Sequence, residues 1–372
     1  MHLVSSALVA ACTAWNVAGL VAVWRATRPV SDSSRLLPVS VLKPLSGADS
    51  ELHQNLKSFF EQDHPQFELV FGATDATDPA LDTVARLQRE FPTTRCRVVT
   101  HTGGAALNPK VRNLLGMLPH ARHDLILISD SNVRAPRHYL SELVRVHEQS
   151  GAGIVTNLFA GSDENTLGGA LENVQLNGFC AAGAALPTLS GDAAVIGKST
   201  LFSHTTLNAL GGLERLSCVL AEDFILGKMF ENGGKRVVFA PTVLCSPNRQ
   251  LKLGASLARH LRWSMLRFRL RPVAAVLEPV TSPLAMLPFA WLLFGPWSVA
   301  WAILLLVLRD VGGWVVLRGL ERAWLPLVLS PLRELCALAI WCVAPLKRHI
   351  TWRGRRLRLS AGTLLYAEPL RR

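Results

Sequence analysis

The chain has 372 residues, a formal net charge of +12 from 39 Lys and Arg against 27 Asp and Glu, and a hydrophobic fraction of 49%. Charged residues are only 18% and mean hydropathy is +0.27, too apolar for an average soluble domain, so membrane segments attached to a soluble body are expected. The basic excess suits anionic lipid or phosphorylated substrates; no nucleic-acid-binding motif accompanies it, and nucleic acid is not expected as a partner. The seven cysteines form no CxxC pair and no zinc-ligand spacing, which points to thiols in a reducing compartment.

Residues 3–24 carry no charge and are long enough to span a bilayer. They lack the positive leader and small-residue cleavage site of a signal peptide. Arg25, Arg28 and Arg35 follow, which places the next segment in the cytoplasm by the positive-inside rule. From 36 to 240, strand-like and helix-like blocks alternate. Strands are expected at 38–42, 67–75, 96–100, 124–130 and 153–157. Helices are expected at 51–61, from Asp78 and Pro79 to Phe91, at 108–118, and from Pro136 to Gln149. Such alternation predicts βαβ units and a mainly parallel sheet, whose ligands bind beyond the carboxyl ends of the strands. Asp75 and Asp130 both stand at such ends. Residues 284–308 read as a second uncharged span, with Pro288 and Pro296 as kinks, and 324–346 as a third. Arg333 and Glu334 lie inside the third and are costly unless they face protein or water or lie at an interface. The apolar stretches 273–283 and 311–320 are short and are expected at the membrane interface.

Taken singly, the polar features are ordinary. A strand-end aspartate is usually a turn or cap, and Glu222 and Asp223 could simply complement a helix dipole. Trp263 could be core, and Lys43 could be a solvated loop residue. Together they suit nucleotide-sugar transfer. A leaving pyrophosphate needs a divalent cation and Arg groups, Mg²⁺ and Mn²⁺ bind through carboxylate plus phosphate oxygens, and an acceptor hydroxyl needs a carboxylate base. Arg259, Arg262 and Trp263 of RHLRW share one face of a helix by their spacing.

The ordered set VSVLKPLSGAD (39–49), TDATDPALD (74–82), NPKVRNL (108–114), ISDSNVR, AEDF (221–224), RHLRW (259–263) and ITWRGRRLRL (350–359) resembles the ceramide glucosyltransferase family of GT-A enzymes, across nearly the whole chain. The resemblance implies Asp75 on the nucleoside and Lys110 on the nucleotide or its phosphates. It further implies Asp130 on a Mg²⁺ or Mn²⁺ ion, Asp223 as general base, and Arg259, Arg262 and Trp263 on the donor diphosphate. The second acidic position of the metal motif is Asn132 here, and residues 177–190 match no motif of the family.

The expected organisation is an N-terminal transmembrane anchor at 1–25 and a cytoplasmic α/β, GT-A (Rossmann-like) catalytic domain at 36–272. Interfacial and transmembrane helices at 273–346 and a basic cytoplasmic tail at 347–372 follow. In a bacterium the anchor would sit in the inner membrane. The expected reaction is transfer from a UDP-sugar to a membrane lipid, with ceramide first. A hopanoid-linked N-acetylglucosaminyltransferase and a non-catalytic sugar-binding membrane protein are the alternatives. A processive polysaccharide synthase needs a longer membrane channel, and such enzymes usually carry Gln at the position of Arg259.

Overall fold

A computed structural model describes residues 1–29, 36–101, 106–192, 194–352 and 355–367; Arg35 and the Arg353–Gly354 pair of the tail motif lie outside them. The chain divides into two compact units. One comprises residues 28–158 and 190–247, the other 1–27, 159–189 and 248–372.

The first unit is built on a sheet. Its strands are β1 (Val39–Pro44), β2 (Phe67–Ala73), β3 (Cys96–Thr100), β4 (Leu125–Ile128), β5 (Ile154–Ser162, which continues past 158), β6 (Thr200–Ser203) and β7 (Val237–Pro247). The order is β3-β2-β1-β4-β6-β5-β7. β3, β2, β1 and β4 run parallel, and β6 lies antiparallel to both β4 and β5. The α/β, mainly parallel reading therefore holds for the first four strands, while the 153–157 strand joins through an antiparallel partner that sequence periodicity did not mark. Four consecutive buried residues, Leu125–Ile128, make β4 a central strand covered on both faces. The core above it includes Leu42, Val70, Ile126, Phe202 and Phe230, all fully buried.

Local chemistry sets the helix starts. Asn108 caps the helix Pro109–Met117 by accepting from the Lys110 and Val111 N–H groups at 2.9 and 3.2 Å, with Pro109 at the first position. Asp78 accepts from the Ala80 N–H at 2.9 Å and so starts the helix Ala80–Glu90.

The second unit is helical. Among the described residues three helices are long and apolar enough to cross a bilayer: His2–Ala26, Trp297–Arg318 and Trp324–Leu346. The second of these corrects the 284–308 span. Gly295 takes φ +54 after the short helix Leu287–Phe294, so the chain breaks there and a new helix starts after Pro296. That helix continues through Arg309 and Asp310 to Arg318, so most of 311–320 belongs to it and is not a separate interfacial piece. The charges are tolerated because they are buried and paired. Arg309 donates to Asp310 at 2.7 Å and to Glu334 at 2.8 Å, and Arg333 donates to Asp310 at 2.8 Å. The N-terminal helix is fastened to its neighbours: Asn16 donates to the Thr281 carbonyl at 3.2 Å and the Trp301 indole to Thr13 Oγ1 at 3.1 Å. The short helical stretch Pro272–Thr281 exposes Val273, Val276 and Leu277 while burying Ala275, as an interfacial segment would. Beyond it, β8 (His349–Trp352), β9 (Arg355–Leu359) and β10 (Leu365–Ala367) form a small antiparallel sheet.

Candidate active site

In the first unit, β4 ends at Ile128 and the chain turns through Ser129 and Asp130 at the carboxyl edge of the parallel strands. Lys110, near the start of its helix, reaches across this edge. Its Nζ lies 2.8 Å from Asp130 Oδ1 and 3.2 Å from Glu222 Oε1, and it donates to the Gly197 carbonyl at 3.0 Å. Burial alone would depress the lysine, but Asp130 and Glu222 outweigh it and keep the ammonium charged. Burial would likewise raise Asp130; the Lys110 and Lys198 charges hold it below the usual carboxylate value.

Asp223 stands in the first turn of the helix Glu222–Asn232. Its Oδ2 accepts from the Gly197 N–H at 3.0 Å and its Oδ1 from the Phe224 N–H at 2.8 Å. Burial and the adjacent Glu222 charge raise it to about 6 against the pull of Lys110 and these N–H groups. Lys110, Gly197, Glu222 and Asp223 line one recess, with about 310 Å³ of non-atom space and an apolar wall that includes Ile128, Leu213 and Leu226. A Cβ at Gly197 would sit 2.9 Å from Asp223 Oδ2 and 3.2 Å from Lys110 Nζ, so a bare backbone is what lets these groups share the recess.

Lys110, Asp130 and Asp223 are thus gathered. Asp75 is not part of the group. It is exposed two residues beyond β2, on the other side of β1, and accepts from the Thr77 N–H and hydroxyl at 2.8 and 2.7 Å. Those two hydrogen bonds lower its pKa.

Arg259, Arg262 and Trp263 belong to the second unit, on the helix Leu253–Leu270. Arg259 donates to Glu172 Oε1 at 2.9 Å, and His260 Nε2 lies 2.9 Å from Glu172 Oε2. Trp263 packs edge-on against His260, ring centroids 5.3 Å apart. Glu172 is fully buried. Burial would raise it, but His260 and Arg259 hold it at about 2.

Several of these partners went unmarked in the sequence. Glu172 is a lone carboxylate in the apolar run LGGALENVQL, which is the signal that could have found it. Lys43, for which a solvated loop position was one possibility, is fully buried. Its Nζ donates to the Asp130 carbonyl at 2.8 Å and to Ser129 Oγ at 3.2 Å, and sits 3.2 Å from the Phe59 ring centroid. Lys198 donates to Asn132 Oδ1 at 2.9 Å. Glu222, taken as a possible dipole charge, instead bridges Lys110 and Asn108.

The sequence model of the family described as Glycosyl transferase family 21 matches residues 2–365. The chain belongs to that family. This glycosyl transferase family 21 member is 26% identical over 358 residues to ceramide glucosyltransferase 1 of Caenorhabditis elegans, covering 93% of this chain and 77% of that protein. It is 25% identical over 264 residues to ceramide glucosyltransferase 3 of the same organism, covering 69% and 56%. Among solved structures it is similar to the mannosyltransferase PcManGT from Pyrobaculum calidifontis in complex with GDP-Man and Mn²⁺. There the TM-score is 0.56 and identity 20%, over 92% of this chain and 99% of that one, a likeness of fold. The family 21 chain is a membrane glycosyltransferase with a GT-A fold that uses a sugar nucleotide.

Proposed function

We propose that this enzyme transfers glucose from UDP-glucose to a hydroxyl of ceramide with inversion at the anomeric carbon. The observation that carries the reading is that Lys110 pairs with Asp130 and donates to the Gly197 carbonyl while Asp223 accepts from the Gly197 N–H, with Asp223 raised to about 6. A carboxylate near neutrality is deprotonated at cellular pH and basic enough to take a hydroxyl proton as attack proceeds. The acceptor oxygen then bonds to the anomeric carbon while the bond to the diphosphate breaks and UDP leaves. Lys110 supplies fixed positive charge to the leaving diphosphate, and Glu222 and the Gly197 carbonyl fix its position. Arg259, Arg262 and Trp263 take the donor-binding role that their motif implies, and Asp75 that of a nucleoside contact.

Among the described residues no group of three His, Cys, Asp or Glu could hold a metal. Asp130, whose carboxylate here pairs with Lys110, would be the protein carboxylate on a cation such as Mg²⁺ or Mn²⁺, the rest of whose shell would come from diphosphate and water. When bound, it would neutralise charge on the departing diphosphate.

Ceramide follows from the two relatives named above, together with the exposed apolar face of Pro272–Thr281. Arg25, Arg28 and the Lys347–His349 run orient the catalytic unit and the tail toward the cytoplasm. The test is mass spectrometry of lipids from a host expressing the chain, followed by assay of the purified protein with UDP-glucose and UDP-N-acetylglucosamine. Hexosylceramide formation supports the reading. Preference for a hopanoid polyol with UDP-N-acetylglucosamine would replace it.

A further inference from the structure

The turn that ends β4 carries a second polar side chain besides Asp130, and the reaction scheme gives it no part. Asn132 Oδ1 accepts from Lys198 Nζ at 2.9 Å, and the same ammonium donates to Ser246 Oγ on β7 at 3.2 Å. All three residues belong to the sheet unit. The Asn132 amide is uncharged, so it orients this ammonium without neutralising it.

Lys198 follows Gly197, the residue at which Lys110 and Asp223 meet. The Gly197 carbonyl accepts from Lys110 Nζ and its N–H donates to Asp223 Oδ2, both at 3.0 Å. The segment is pinned to β5. Thr156 Oγ1 accepts from the Ile196 N–H at 3.1 Å and donates to the Ser199 carbonyl at 2.6 Å. The Ser199 N–H closes a turn on the Ile196 carbonyl at 3.0 Å. One fixed turn therefore holds Lys198 beside the groups proposed as base and as diphosphate lysine, the preorganisation that charge stabilisation requires.

The charges at this edge call for a second cation. Lys110 faces two carboxylates, Asp130 at 2.8 Å and Glu222 at 3.2 Å. One ammonium against two carboxylates leaves the edge acidic, and a sugar nucleotide brings further negative charge to it. The Lys198 charge acts on Asp130 alongside that of Lys110. Its side chain is half-buried, tethered yet open enough to meet a ligand.

We propose that Lys198 is a further donor-binding residue, whose ammonium contacts the diphosphate of the sugar nucleotide beside Asp130 while Asn132 holds it in place. Asn132 thus serves the site through a lysine. Lys110 and Lys198 share the leaving diphosphate, and both remain protonated throughout. The inference rests on the placing of the diphosphate at Lys110 and Asp130 above, and adds a cation from outside the RHLRW motif.

The experiment uses the full chain in detergent with saturating Mn²⁺. UDP binding is read by calorimetry and uridine binding by competition with UDP. Lys198→Met removes the charge and keeps most of the stem. It should weaken UDP about tenfold or more, the loss expected of one charge-assisted hydrogen bond, and leave uridine unchanged. Lys198→Arg keeps a cation and should bind UDP within about threefold of the parent. Asn132→Ala should weaken UDP in the parent background and add nothing in the Lys198→Met background, because it acts through Lys198. Thermal melting checks that each variant is folded, and Lys198→Gln carries the test if Lys198→Met is not. Unchanged UDP affinity in a folded, uncharged variant would overturn the inference. So would equal losses for UDP and uridine, equal losses in the Met and Arg variants, or additive losses from Asn132→Ala and Lys198→Met. Weakened UDP binding in Lys198→Met of a chain that glucosylates no lipid would support this site while defeating the transfer reading. Glucosylceramide formed by Lys198→Met at the parent's UDP-glucose KM would do the reverse.

Discussion

Asp223 is held by two N–H groups at a helix start, an arrangement that ordinarily lowers a carboxyl pKa. Burial and the neighbouring Glu222 win instead and raise it from the ordinary 3.8 to about 6. The turnover rate should therefore fall on the acid side with an apparent pKa near 6, read from a pH profile of kcat, and a flat profile down to pH 5 would remove Asp223 as base. Asp223→Asn should lose roughly 10²–10⁴ in kcat with donor binding retained. The stability sign follows from the same shift. A raised pKa means that the protonated carboxyl favours the folded state; that contribution is full below 3.8 and is lost as pH rises through about 6. Asp223→Asn should thus melt at or above the parent temperature at pH 7.5, with the difference shrinking toward pH 4. Gly197→Ala places a methyl group 2.9 Å from Asp223 Oδ2 and should lower turnover at least tenfold with a small change in melting temperature. At Asp130, chelation by EDTA should abolish transfer and added Mg²⁺ or Mn²⁺ should restore it. Full activity in metal-free buffer, or in Asp130→Ala, would show that the lysines alone neutralise the diphosphate.

At the scale of elements, the legible features were those with a local signature. The apolar run before Asp130 marked a buried strand, and Asn108–Pro109 marked a helix start. RHLRW placed three side chains on one helix, which Leu253–Leu270 is. What stayed hidden depends on partners distant in sequence. Lys43 looks solvated until Phe59, Ser129 and Asp130 close around it, and Gly197 looks like any glycine until Lys110 and Asp223 meet there. The second span was misplaced because Arg309 and Asp310 read as its end; only pairing with Arg333 and Glu334, a helix away, lets the apolar helix run through them. That explanation is testable. Asp310→Leu alone strands buried arginines and should cost about 3–5 kcal/mol, seen as lost folded yield and early thermal aggregation. Arg333→Met combined with Asp310→Leu removes one charge of each sign and should recover most of that loss. Equal damage in the single and double variants would mean that the network is not coupled.

For the whole molecule, the three helices among the described residues that are long and apolar enough to span, with basic residues after the first and after the last, are the ground on which we propose an outside amino terminus and a cytoplasmic catalytic unit and tail. A cysteine introduced at Ser360 in a background cleared of native cysteines should react with an impermeant maleimide only after the membrane is opened. Labelling of intact, outward-facing cells would reverse the topology. The central claim is that this membrane-held unit uses Asp223 to move a sugar from a nucleotide onto a lipid hydroxyl. Its most direct measurement is the product of purified parent and Asp223→Asn enzyme given UDP-glucose, Mn²⁺, ceramide and a water-soluble alcohol together in detergent, analysed by mass spectrometry and by the anomeric NMR coupling. The parent should yield β-linked glucosylceramide, and Asp223→Asn should yield almost none while still binding UDP-glucose. Preferential glucosylation of the soluble alcohol, an α-linked product, or near-parental turnover by Asp223→Asn would contradict the account.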